Sequence, residues 1–411
     1  MHKGSKIGRF FRNLWATLCR RCHYVLLGIP FVLVLLGITL NIVSVIRINQ
    51  ILDGQTFQYA AEKYENAKMS YRKLTVLSKA LDQADESAPR SLPSGLDLEK
   101  VQTIHDGLTE KEASTNLNSR KGRNTDSESG DIWLDCYSST AFYRAYGYID
   151  KTEQGAVERA EIVGVGGDYA TLHPFRYESG GFLQTEGGDK YAIVLNTQMA
   201  WNLFHSYEVL GADVELNGVM YQVVGVVNDG DDMLAEATGV TKPRAYIQFD
   251  QLANLANGGI IPNGPQETES YVKPDVLGVT CYEALLTDPI NNIAYNDLVA
   301  VLSDNLGYSE DGNTTLEIIN NTDRFFITRL YSKFFPLKES ISKIDGIQVP
   351  YYERSARLAE QYVVFWAEVI FVSSIVIICG SCAIYSTFHG RKTKHARPTE
   401  DEEETATASK D

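Results

Sequence analysis

Two long uncharged segments set the limits on what this chain can fold into. Val25–Ile46, "VLLGIPFVLVLLGITLNIVSVI", carries no charge, and Tyr362–Phe388 carries only Glu368. At 1.5 Å per helical residue, each is long enough to cross about 30 Å of hydrocarbon. Both are therefore expected to be transmembrane helices. A cleaved signal peptide is the rival reading of the first, but its apolar run is too long and "VSVIRINQ" lacks a small-x-small cleavage site. Lys3, Lys6, Arg9, Arg12, Arg20 and Arg21 precede the first segment without an acidic residue, and Arg391, Lys392, Lys394 and Arg397 follow the second. Positive flanks stay in the cytoplasm. Both termini are thus expected inside and residues 47–360 outside.

Residues 47–360 hold 46 acidic and 27 basic residues, a net charge of −19, against −15 for the whole 411-residue chain. Such a surface repels nucleic acid and anionic lipid. It suits an extracytoplasmic domain facing solvent. Cys136 and Cys281 are the two cysteines on that oxidising side, and two thiols alone leave a disulfide open. "CRRCH" at 19–23 has the spacing of a haem-attachment motif on the wrong side of the membrane, and is read as coincidence.

The chain is divided as follows. Residues 1–24 are a cytoplasmic basic segment. Within it, Ile7, Phe10, Phe11, Leu14, Trp15 and Leu18 recur at helical spacing, with Arg9, Arg12 and Asn13 opposite. Such a helix suits the inner headgroup region, either as an anchor or as a docking helix for a cytoplasmic partner through Phe10, Phe11, Leu14 and Leu18. Residues 25–46 are the first span. Residues 47–83 are expected to be a helical stalk, because Phe57, Ala60, Tyr64, Ala67, Tyr71, Leu74 and Leu81 keep a 3-4 spacing without Gly or Pro over 57–82. Residues 84–130 read as a polar linker with a short helix near 97–109. Residues 131–350 alternate short strands and helices, with Asn217-Gly218 as the strongest hairpin signal. This predicts an α+β domain. Residues 351–361 are juxtamembrane, 362–388 the second span, and 389–411 a cytoplasmic acidic tail.

Several short patterns in a fixed order carry a resemblance. They are "GVGGDY" at 164–169, "ESGGF" at 178–182, "AIVLNTQMAWNLF" at 192–204, Gly211, "LNG" at 216–218 and "VVGVV" at 223–227. In this order they resemble the extracytoplasmic core domain of MacB/FtsX-type ABC transporter permeases, over 131–350 with the flanking spans. The resemblance implies a non-catalytic membrane component, coupled to a partner ABC ATPase. Two departures stand out. Gly180-Gly181 replaces the family's Gly-Arg, and two spans stand where the family has four. A partial or accessory permease that works with a fuller permease is therefore expected.

Motifs for chemistry of its own are not evident. There is no phosphate loop of the G-x-x-x-x-G-K-S/T kind and no G-x-S-x-G elbow. His105, His173 and His205 show no zinc-ligand spacing. "NDGDD" at 228–232 lacks the distal Glu of a calcium loop and reads as a solvated turn. Asn313 and Asn320 begin N-x-T sequons. No catalytic residue, cofactor or metal is expected. Glu368, Gly380 and Ser381 are candidates for helix pairing in the membrane. The competing reading is a membrane-anchored extracytoplasmic binding or sensing module without transport activity.

Overall fold

The two uncharged segments are helical, and the polar region between them is built on a single ten-stranded sheet. A computed structural model describes residues 4–64, 70–78, 95–121, 133–184, 187–229, 234, 242–256, 278–290, 292–309, 316–334 and 349–395. In chain order the elements are α1 (Gly4–Asp53), a 3-10 turn (Thr56–Gln58), α2 (Ala60–Tyr64), β1 (Tyr71–Ser78), α3 (Leu98–Lys121), β2 (Leu134–Ile149), β3 (Thr152–Gly167), α4 (Tyr169–Leu172), β4 (Arg176–Gly180), β5 (Ala192–Asn196) and α5 (Thr197–Phe204). They continue with β6 (Asp213–Leu216), β7 (Val219–Asn228), β8 (Arg244–Gln248), α6 (Phe249–Ala256), β9 (Cys281–Thr287), α7 (Ile293–Leu306), β10 (Leu316–Asn320), α8 (Ile327–Phe334) and α9 (Tyr351–His395). The chain forms two compact units. One comprises the segments before residue 51 and after residue 361, and the other spans Ile51–Gln361.

In the first unit, α1 and α9 are each long and apolar enough to cross a membrane, with mean hydropathy of 2.5 and 2.4 over their most apolar stretches. They approach closely where a side chain is missing. A Cβ on Gly380 would lie 2.7 Å from Val34 Cγ2, and one on Gly37 would lie 2.7 Å from Ile377 Cγ1. Ser373 donates to Asn41 Oδ1 at 2.7 Å, and Asn41 Nδ2 donates to Ser374 Oγ at 3.4 Å. Small residues and interhelical hydrogen bonds are how helices associate in lipid, where burial of apolar surface supplies no drive. Gly380→Leu is expected to weaken this pairing by roughly 1–3 kcal/mol. The check is a lower thermal midpoint in detergent than wild type and Gly380→Ala; an unchanged midpoint for the leucine variant contradicts the packing.

In the second unit the strand order is β10-β1-β9-β2-β3-β8-β5-β7-β4, with β6 paired to both β2 and β7. Most neighbours are antiparallel; β3–β8 and β5–β7 are parallel. The long β2–β3 hairpin is its spine. The predicted hairpin is present, with Leu216 opposite Val219 and positive φ of 50° and 82° at Asn217 and Gly218. That is the geometry a two-residue primed turn requires. At the β4 edge, a Cβ on Gly225 would sit 2.0 Å from the Gly181 carbonyl oxygen, so only glycine permits this approach. Three buried clusters fill the unit. One surrounds α5 and the inner strands, one lies between β1, β9, α3 and α7, and one is aromatic.

Two expectations are corrected. The helical stalk over 57–82 is absent in that form. Among the described residues, α1 is followed by a 3-10 turn and α2, and Tyr71–Ser78 is β1, a strand between β9 and β10 with all eight residues buried. Tyr71 and Leu74 fit a 3-4 helical seam, but pairing on both edges and burial on both faces decide in favour of a strand. Residues 65–69 and 79–83 lie outside the described residues. The polar linker holds a longer helix than expected. Leu98–Lys121 is α3, started by the Asp97 side chain accepting from the Lys100 N–H at 2.8 Å. Val101, Ile104 and Leu108 are its buried face. Consequently β1, α3 and the first turns of α9 belong to the same compact unit as the 131–350 region.

Candidate functional site

The first turns of α9 are held in the sheet domain by charge rather than by apolar contact alone. Glu353, Arg357 and Glu360 recur at i, i+4 and i+7, so they share one helix face. That face meets Arg324, in the turn between β10 and α8. Arg324 donates to both Glu353 oxygens, at 2.5 Å and 2.8 Å, and to Glu360 Oε1 at 2.6 Å. It also donates to Asn321 Oδ1 at 3.0 Å. All three charged groups are buried. Arg357 extends the set, bonding Glu353 and Glu317 of β10 at 2.9 Å each. Burial works to lower the Arg324 pKa, but Glu353 and then Glu360 outweigh it and push it up. The guanidinium stays charged.

A second group centres on Arg244, the first residue of β8, which is 0% exposed. It reaches Asp229 Oδ2 at 2.7 Å and Glu161 Oε2 at 3.0 Å. Its guanidinium carbon lies 3.6 Å from the centre of the Tyr351 ring, a desolvated cation–π contact at the start of α9. Tyr246 Oη donates to Asp229 Oδ2 at 2.9 Å and lies 3.0 Å from Tyr351 Oη. Asn196 caps α5 by accepting from the Met199 N–H and bonds Asp229 as well. Burial would lower the Arg244 pKa; Asp229, followed by Tyr246 and Glu161, raises it instead.

A third group connects the turn after α1 to the sheet. Lys73 of β1, also 0% exposed, donates to the Phe57 carbonyl at 2.7 Å and pairs with Glu283 of β9 at 3.0 Å. Thr75 donates to the same Glu283 oxygen at 3.1 Å, and Asn321 donates to Thr75 at 2.6 Å. The third group therefore joins the first. Burial tends to raise the Glu283 pKa, but Lys73 and then His173 hold it well below the usual carboxylate range. The Phe57 ring packs edge-on against His173, Phe175, Tyr351 and Tyr352 at 5.3–6.2 Å. Gln55 donates to Ser355 of α9 at 3.0 Å. In this way the end of α1, the turn after it and the first turns of α9 are bound together and to the sheet.

The residues singled out from sequence fall elsewhere. Phe10, Phe11, Leu14 and Leu18 lie on α1, which is helical from Gly4, but their side chains are outside the described residues. Gly380 is buried against Val34, whereas Glu368 and Ser381 are on exposed positions of α9. Cys136 and Cys281 are free thiols. Cys136 stands opposite Glu283 and Cys281 opposite Ser138, so the cysteines are diagonal neighbours. Diagonal positions are about 7–8 Å apart, beyond ordinary disulfide spacing. Asp229, the described acid of the "NDGDD" turn, is buried and paired with Arg244 rather than solvated; residues 230–232 lie outside the described residues.

The charged junction was not singled out from sequence. One signal for it exists: lysine and arginine inside otherwise apolar strand patterns, "YRKLTVL" and "PRAYIQF". A charge there is almost never fully buried unless paired.

Residues 26–275 match the family described as the MacB-like periplasmic core domain. No curated protein matches the chain. Among solved structures, the periplasmic region of MacB from Actinobacillus actinomycetemcomitans is similar at 15% identity and a TM-score of 0.37, covering 63% of this chain and 94% of that one. The extracellular domain of the noncanonical ABC-type transporter YknZ from Gram-positive bacteria is similar at 14% identity and a TM-score of 0.35, covering 60% of this chain and all of that one.

Proposed function

This chain belongs to the family of MacB-like periplasmic core domain proteins, a family of ABC transporter permeases, and on that premise we propose that it is a non-catalytic membrane component coupling a partner ABC ATPase to an extracytoplasmic domain. Both termini lie in the cytoplasm and residues 47–360 lie outside. A permease chain with further spans completes the assembly. The observation that carries this reading is the charged junction at the start of α9. The helix that supplies the second apolar segment has its first turns fixed by Arg324 and Arg244 to a sheet. A helix clamped in this way passes displacement to the sheet instead of bending at a loop.

The basic amphipathic start of α1 is the docking element for the ATPase. Replacing Phe10 and Phe11 together by aspartate is expected to abolish co-purification of the ATPase from detergent extracts while leaving the protein folded and in the membrane. Association that survives intact removes the docking role. Wild-type protein that repeatedly purifies without any ATPase favours the alternative, an anchored binding or sensing module.

A further inference from the structure

We propose that Cys136, His173 and Glu283 form a binding site for a zinc-class divalent cation inside the sheet domain. The three come from β2, the segment after α4, and β9, and each is fully buried. Their ligand atoms all lie within 4.8 Å of one another. Glu283 Oε2 is 2.7 Å from His173 Nε2 and 3.8 Å from Cys136 Sγ. A thiolate, an imidazole and a carboxylate together are the donor set of zinc rather than of calcium or magnesium, which take oxygen.

The surroundings hold the histidine and the carboxylate in place. His173 Nδ1 lies 2.9 Å from the Tyr169 carbonyl, which can only accept, so Nδ1 carries a proton, and Nε2, which faces Glu283, is the atom that would ligate once a cation displaces its proton. A ligating histidine ordinarily makes such a second bond to a backbone carbonyl. Nε2 is enclosed, and its partner is Glu283 Oε2 at 2.7 Å, an ion pair that a bound cation would replace. The other Glu283 oxygen, Oε1, is taken by Lys73 and Thr75, which leaves Oε2 facing the histidine and the cysteine. A cation with one thiolate and one carboxylate is locally neutral, and Lys73 acts on the carboxylate from its far side. Three protein ligands leave one position of a tetrahedral ion open. Spacing along the chain hides the site, because its members are 37 and 110 residues apart.

The test uses full-length protein purified in detergent. Protein grown with zinc and washed free of loose metal is expected to retain about one zinc per chain. After removal of that zinc, cobalt(II) is expected to give a thiolate-to-metal charge-transfer absorption and intense visible bands of tetrahedral cobalt. Cys136→Ser should lose the charge-transfer absorption, His173→Ala should lose retained zinc, and Cys281→Ser should keep both. Wild-type protein that retains no zinc and shows no cobalt–thiolate absorption overturns the proposal, whatever the variants do. An absorption that follows Cys281 instead of Cys136 overturns the assignment of ligands.

Discussion

Arg324→Ala is expected to lower the stability of the protein by about 3–5 kcal/mol, the cost of removing one partner of a buried ion pair. Two carboxylates, Glu353 and Glu360, lose their shared cation, and only Glu353 keeps Arg357. Against a total of about 5–15 kcal/mol for an ordinary domain, this is a large fraction. The effect should appear as a lower thermal midpoint and a lower denaturation midpoint in detergent. Replacing all three groups by neutral counterparts (Arg324→Met with Glu353→Gln and Glu360→Gln) should be closer to wild type than the single change. The single variant removes the cation that faces Glu353 and Glu360, whereas the triple variant removes the carboxylate charges with it. If the single and triple variants are equally destabilised, the loss comes from shape, and the ionic account of the clamp is wrong.

Arg244→Ala is expected to have an effect of similar size, about 3–5 kcal/mol, since Asp229 and Glu161 are both left buried. The cation–π contact with Tyr351 adds about 1–2 kcal/mol in a desolvated site. Arg244→Lys should recover only part of this. A single ammonium cannot present the planar fork that spans Asp229 and Glu161 while stacking on a ring. Tyr351→Leu keeps the ion pairs but removes the ring and its hydroxyl, and should cost less than Arg244→Ala. Denaturation of the three variants gives the order. A lysine variant as stable as wild type contradicts the geometric part of the argument.

The features legible in the sequence were the local ones. Asn217-Gly218 specifies its own turn, so the β6–β7 hairpin could be placed to the residue. The two apolar segments announce themselves by length and lack of charge. The order of "GVGGDY", "LNG" and "VVGVV" was enough for the family. What failed depended on partners far along the chain. Lys73 becomes a core residue because Glu283 lies across the sheet and the Phe57 carbonyl accepts from it, which no local spacing in β1 reveals. The later turns of α3 have little apolar face to betray them, and Glu112 is buried where it bonds Thr287 of a distant strand. The clamp was hidden for the same reason. Arg324 is an ordinary turn residue until Glu353 and Glu360 arrive from a helix that begins 27 residues later. Glu353, Arg357 and Glu360 have the spacing of a solvated helix face, and nothing local says that this face is buried.

The central claim is that motion driven by a partner ATPase enters the sheet through the start of α9. Hydrogen exchange of the membrane-reconstituted complex, compared with and without ATP, tests it most directly. The account predicts that ATP changes protection of residues 351–361 together with β10 and β8, the strands nearest Arg324 and Arg244 in sequence, and that Arg324→Ala uncouples the strands from the helix. Exchange that changes only in the apolar segments of α1 and α9 while ATP is hydrolysed, with 351–361, β8 and β10 unaltered, would contradict it.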